Sequence, residues 1–170
     1  EKLLKDNYLS FVRAGILLNE EEKTRIREIN SELSEVSTKF RQSLLELTKA
    51  GSVLVDSEEK LSGLSADKIA AAKEAANAQG NTGQYLLTIS NTTRVPLLKS
   101  LDNRAVRQQL WESSANRGLK GSSIDTRPFV KQQARLRAEK AELLGYANYA
   151  TYIVEEQTAK TPENVMDLFS

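Results

Sequence analysis

The sequence predicts a mainly α fold, multi-helical, with a long helical hairpin and a small two-stranded β insert. Three observations carry this reading. A stripe of apolar residues runs at helical spacing from Asn19 to Lys49, shorter stripes recur at 103–117 and 126–143, and only two short apolar runs suit strands. The 170 residues are 39% hydrophobic and 28% charged with three prolines, the balance of an ordered, helix-rich chain.

Taken in order, Leu3, Leu4, Tyr8, Phe11 and Val12 define a first helix that Gly15 ends. Asn19 is a good N-cap, and Glu22 three residues on completes a capping box. Ile26, Ile29, Leu33, Val36 and Phe40 then alternate in steps of three and four, continued by Leu44 and Leu47, with Gly51 as the stop. The seam is narrow. It suits an antiparallel partner helix in the same chain better than a free coiled-coil dimer, because it lasts only about three heptads. Residues 1–50 are therefore expected to form a hairpin that buries this seam without outside help.

Val53–Val55 and Tyr85–Ile89 are expected to pair as one small β element. Between them Ser65 caps an alanine-rich helix from Ala66 to about Gln79, closed by Gly80 and Gly83. Between Asn91 and Leu101, Val95-Pro96 disfavours helix just before the proline. Asn103 to Arg117 reads as helix, with Val106, Leu110 and Trp111 inward and Gly118 as its stop, followed by a polar loop to Ser123. In the next helix, Thr126 to Leu143, Phe129, Leu136 and Leu143 fall every seventh residue beside Val130, Ala134 and Ala141. Gly145 ends it, a short helix spans Tyr149 to Glu155, and Thr161-Pro162 starts another. The division expected is a hairpin over 1–50, a β/α insert over 51–90 and a helical bundle over 91–170. The fold should centre on the hairpin packed against the 103–143 helices, with Trp111 buried between them.

The zeros exclude whole classes of chemistry. Without Cys there is no disulfide, thiol nucleophile or thiolate metal site, and without His the commonest zinc ligand and general base are gone. No Asp/Asn ladder leads into a Gly as a Ca²⁺ loop requires. Lys and Arg number 24 against 23 acids, a net +1 that argues against a dedicated nucleic-acid binder. No apolar run approaches the roughly 20 residues that span a bilayer. Neither nucleic acid nor membrane is an expected partner.

Several clusters are candidate sites. Residues 94–140 carry eleven Lys/Arg against four acids, an electropositive wall or, more simply, solvated helix faces. Glu20, Glu21 and Glu22 sit where a helix dipole favours negative charge. Glu139 and Glu142 share a helix face but lack the His that a di-iron pair needs. Glu155 and Glu156 become acid and base only if a cleft holds them. Tyr146, Tyr149 and Tyr152 read as packing, with one hydroxyl available to a cleft. Gly80-Asn81-Thr82-Gly83 lacks the Lys-Ser/Thr of a phosphate loop. No residue qualifies as catalytic, cofactor-binding or metal-ligating. Met166 is the sole Met, and Thr161-Pro162-Glu163 opens a helix nine residues before Ser170, so a piece of a longer protein is expected.

One ordered set of motifs resembles a known family. Leu136-Arg137-Ala138-Glu139-Lys140-Ala141-Glu142-Leu143-Leu144-Gly145-Tyr146, then Tyr149-Ala150-Thr151-Tyr152, looks like a segment of the thimet-oligopeptidase-like zinc metallopeptidases. Gln157-Thr158-Ala159-Lys160-Thr161-Pro162-Glu163 is similar to the bacterial peptidyl-dipeptidase (dipeptidyl carboxypeptidase) branch. Phe11-Val12-Arg13-Ala14-Gly15, Leu33 to Phe40, Tyr85 to Ile89 and Asn103 to Arg107 fit the same branch. The resemblance implies a two-lobed helical enzyme around a narrow channel, with a zinc held by a His-Glu-x-x-His helix and a further Glu. None of those ligands lies here. It also implies that this stretch is the non-catalytic helical region upstream of the zinc domain, with short peptides and that downstream domain as partners, in the cytoplasm or alternatively the periplasm. The alternative, independent of the resemblance, is a helical interaction or scaffold module acting through the 20–49 arm.

Overall fold

A computed structural model describes residues 1–119 and 124–170. The loop expected up to Ser123 therefore lies partly outside the described residues. Eight α-helices are found among the described residues: α1 (Lys2–Arg13), α2 (Glu20–Ala50), α3 (Ala66–Ala78), α4 (Asn91–Ser100), α5 (Arg104–Ala115), α6 (Arg127–Leu143), α7 (Tyr149–Val154) and α8 (Pro162–Asp167). Strands β1 (Val53–Val55) and β2 (Tyr85–Leu87) pair antiparallel in the register Val53 to Leu87, Leu54 to Leu86 and Val55 to Tyr85. The fold is mainly α with a small β element, as the sequence predicts.

Local chemistry explains most of the boundaries. The capping box at α2 is reciprocal: the Glu22 amide donates to Asn19 Oδ1 at 2.9 Å, and the Asn19 amide donates to Glu22 Oε2 at 3.0 Å. Asn103, Asn148 and Thr161 each accept backbone amides at the starts of α5, α7 and α8, with Pro162 at the first turn of α8. Ser65 sits at the N-cap of α3 but makes no side-chain cap bond. Gly118 ends α5 with φ +77°, and a Cβ there would lie 2.5 Å from Thr126 Oγ1, so only glycine fits that turn. A 3-10 turn at Glu58–Leu61, not foreseen from the sequence, seats Leu61 in full burial.

The chain divides into two compact units. The first comprises 1–39 with 128–170. In it Ile29, Val36 and Leu136 are buried together, with Leu33, Phe129 and Leu143 packed around them. The α2 seam thus finds an antiparallel partner in the same chain, since Arg25 meets Glu139 while Ser37 meets Gln133. That partner is α6 rather than α1, so the expectation that 1–50 buries its own seam does not hold. On α6 the seventh-residue stripe is inward as expected, but Val130 and Ala134 are exposed, because they lie off the face that meets α2.

The second unit comprises 40–127 and has the larger apolar core. Val55, Leu61, Ala72, Tyr85, Leu87, Ile89, Leu97, Leu101, Val106 and Leu110 form one buried cluster spanning the β pair, α3, α4 and α5. Two expectations are corrected here. The stretch 91–100 is helical despite Pro96. Ser90 caps it, accepting the Thr93 amide at 3.3 Å, and burial of Leu97 and Leu101 outweighs the lost Pro96 donor. Trp111 is not buried but 59% exposed. The inward face of α5 is Val106, Leu110 and Ser114, spaced by four, and at about 100° per residue Trp111 falls off that arc.

Candidate functional site

The densest gathering of charged and aromatic groups lies in the first unit, around Arg13. It is the one residue of α1 that is buried, at 7% exposure. Its Nε lies 3.0 Å from Glu156 Oε1, and its Nη1 donates to Glu155 and, at 3.2 Å, to the Tyr146 hydroxyl. Its Nη2 donates to the carbonyl of Tyr152. The guanidinium also stacks on the Tyr152 ring, 4.3 Å from the centroid, a cation–π contact that burial strengthens. Tyr146 in turn donates its hydroxyl to Glu155 at 2.6 Å and meets the Tyr152 ring edge-on.

Three of the five guanidinium N–H groups are thereby hydrogen-bonded and Nε is ion-paired with Glu156, leaving little with which to grip a ligand anion. Burial pulls the Arg13 pKa down, but Tyr146, Glu156, Glu155 and Tyr152 outweigh it and raise it overall. Burial also pushes the Tyr146 and Tyr152 hydroxyls above their ordinary value, so both stay protonated donors at neutral pH. A polar cavity of about 320 Å³ adjoins the cluster, lined by Ser10, Arg13, Asn30, Lys140, Tyr152 and Glu156 with Ala14 and Ile26. Lys140 donates to Asn30 at 2.7 Å, and desolvation lowers its pKa.

The sequence had placed Glu155-Glu156 and the three tyrosines among its candidates without seeing what joins them. The structure brings Glu155, Glu156, Tyr146 and Tyr152 together on Arg13, whose position 133 residues before Tyr146 leaves no local pattern to read, while Tyr149 lies against Tyr152 and Arg137. Glu139 is likewise committed, bound by Arg25 Nε at 2.6 Å and Nη2 at 3.1 Å, and that bond holds its pKa below the ordinary value. Glu142 is exposed and takes no part. Glu20 pairs with Lys23, and Glu22 is the capping residue of α2. Gly80 and Gly83, both at positive φ, form an open turn after α3.

Four cations of the basic stretch are committed locally. Arg94 donates to Ser114, Arg107 to the carbonyls of Leu101 and Asp102, and Arg117 to Thr48 and Ile89. Arg127 pairs with Asp125, and Lys120 lies outside the described residues. These cations close loops and helix ends in their own units. A second cavity, about 300 Å³ and mostly apolar, lies among α3, β2 and α4 in the second unit, floored by Ala71, Ala72 and Ala75 beside Leu87 and Pro96.

No group of three or more His, Cys, Asp or Glu able to hold a metal is found among the described residues. The donor set does not fit a zinc site, since the chain has neither His nor Cys and Glu155 and Glu156 are held by Arg13. No helix among the described residues is long and apolar enough to cross a membrane.

The geometry defines a helical frame whose charged residues bind one another. Residues 97–170 match the family described as Peptidase family M3. The chain is 39% identical over 153 residues to a dipeptidyl carboxypeptidase of Salmonella typhimurium, covering 90% of this chain and 22% of that protein. It is 34% identical over 157 residues to the dipeptidyl carboxypeptidase of Escherichia coli, covering 92% and 23%. To the oligopeptidase A of Salmonella typhimurium it is 31% identical over 175 residues, covering 100% and 26%. The chain is a relative of the M3 peptidases, as its motifs suggested, and spans about a quarter of the length of these curated relatives.

Proposed function

We propose that this chain is a non-catalytic helical scaffold segment of a zinc metallopeptidase that hydrolyses short peptides, releasing C-terminal dipeptides. The observation that carries the reading is similarity over nine-tenths or more of the chain to dipeptidyl carboxypeptidases about four times its length. The geometry supports the non-catalytic part. The carboxylates that sequence offered as an acid and base are ion-paired to one buried arginine, and a general base must instead face a substrate proton. In the parent, a zinc ion held by the downstream domain would polarise the scissile carbonyl and activate water. The residues of this chain hold shape: the α2–α6 seam and the Arg13 cluster fix the segment as part of a channel wall that admits short, unfolded peptides. The interaction-module alternative needs a free α2 seam, and Ile29 and Val36 are buried against Leu136.

The test pairs sequence with assay. A His-Glu-x-x-His motif downstream in the coding sequence, with chelator-sensitive cleavage of a short blocked peptide by the parent and none by residues 1–170 alone, is the expected result. Chelator-insensitive cleavage by 1–170 alone, or a parent without peptidase activity, would overturn the proposal. Release of single residues or internal cleavage instead of dipeptides would overturn only its specificity.

A further inference from the structure

We propose that the apolar stripe of α1 is a docking face, covered in the longer parent by an apolar segment of the same polypeptide from outside residues 1–170. The proposal rests on reading this chain as one segment of that parent. The amphipathy of α1 is inverted relative to its own unit. At about 100° per residue, Leu4, Tyr8 and Phe11 share about 60° of the helix circumference, and Arg13 falls on the opposite side. Arg13 is the buried residue, while Leu4, Tyr8, Phe11 and the flanking Leu3 are 60–76% exposed. No residue of α1 belongs to the apolar cluster of its unit.

The helix cannot roll its stripe inward. Arg13 binds Tyr146, Tyr152, Glu155 and Glu156 through a planar fork, and rotating α1 would unmake those contacts together. Nor does α1 support itself, because a helix of 12 residues is marginal in water and draws its stability from burying an apolar face. The cover therefore comes to the stripe. The size of the face selects what covers it. Four side chains of about 200 Å² each, at that exposure, present roughly 500 Å², the scale of a functional patch. Two copies meeting through it would bury roughly 1,000 Å², less than the about 1,200 Å² at which stable interfaces between separate chains begin. A segment of the same polypeptide is already tethered, so docking costs it far less translational freedom and a small patch suffices. The dipeptidyl carboxypeptidases that this chain is similar to are about four times its length, ample chain to supply such a segment.

Footprinting and cross-linking of the full-length parent test this, and neither reads peptidase activity. Hydroxyl-radical oxidation of Tyr8 and Phe11 should run at least threefold slower in the unmodified parent than in a synthetic 1–13 peptide at the same radical dose, whatever the protein concentration. A parent carrying benzoylphenylalanine in place of Tyr8 should cross-link, as a monomer, to a peptide outside residues 1–170. A difference in oxidation below threefold would overturn the proposal, as would protection that fades on dilution. Cross-links confined to residues 1–170, or joining two copies, would overturn it as well. Protection and outside cross-links in a parent without peptidase activity would support this proposal while overturning the functional one.

Discussion

The two units of this chain are stabilised in different ways. The 40–127 unit has a ten-residue apolar cluster gathered from strands, helices and a 3-10 turn. The unit made of 1–39 and 128–170 buries only Ile29, Val36 and Leu136 as a cluster and adds cross-helix pairs: Arg25 with Glu139, Lys140 with Asn30, and Arg13 with Glu155 and Glu156. Apolar burial is non-directional and tolerates salt, whereas ion pairs fix geometry and weaken as salt screens them. Register in the first unit is thus set by charge, and cohesion in the second by area.

The sharpest way to break this contrast is at Leu110, fully buried in the second unit. Leu110→Ala should cost about 4 kcal/mol in urea unfolding, because a cavity is left among tightly packed neighbours. Its neighbour Trp111 gives the control. A buried Trp would cost about 3–5 kcal/mol on replacement by Ala, but at 59% exposure Trp111→Ala should cost no more than about 1.5 kcal/mol. The indole should also emit at the long wavelength of a water-exposed ring. Pro96→Ala should raise stability by about 1 kcal/mol by restoring a helical amide donor within α4, part of the gain being offset by a freer unfolded chain.

The smallest expected effect belongs to the first unit. Arg25 holds the Glu139 pKa below the ordinary 4.5, so the pair stabilises the fold above that pH and loses its contribution as pH falls through the lower folded value. Both groups are about one-third exposed, so Arg25→Met should shift the urea midpoint only slightly, and 0.5 M salt should remove most of that difference.

What was legible in the sequence was local. The Asn19–Glu22 box, the seam from Ile26 to Leu47 and the Thr161-Pro162 start each depend on residues within a few positions, and all stand in the structure. What failed was decided at a distance. Periodicity shows that α2 has a buried face but not which helix covers it, so α6 and not α1 took that place. Pro96 opposed a helix that long-range burial of Leu97 and Leu101 imposed. Trp111 reads as inward beside Val106 and Leu110, and the four-residue spacing of Val106, Leu110 and Ser114 is the signal that excludes it. The Arg13 cluster had visible halves, the Glu155-Glu156 pair and the three tyrosines, but its centre lies at the far end of the chain.

Glu155 and Glu156, held by Arg13, serve architecture and not chemistry if the proposed function holds. The direct measurement is peptide turnover at saturating substrate by the full-length parent and by its Glu155→Gln/Glu156→Gln variant, with melting temperature followed in parallel. Turnover within about threefold of the parent and a lower melting temperature are expected, since neutral amides bind a buried guanidinium more weakly than carboxylates do. Turnover lost by a hundredfold or more, with melting temperature and zinc content unchanged, would contradict that role and place these carboxylates in the catalytic machinery.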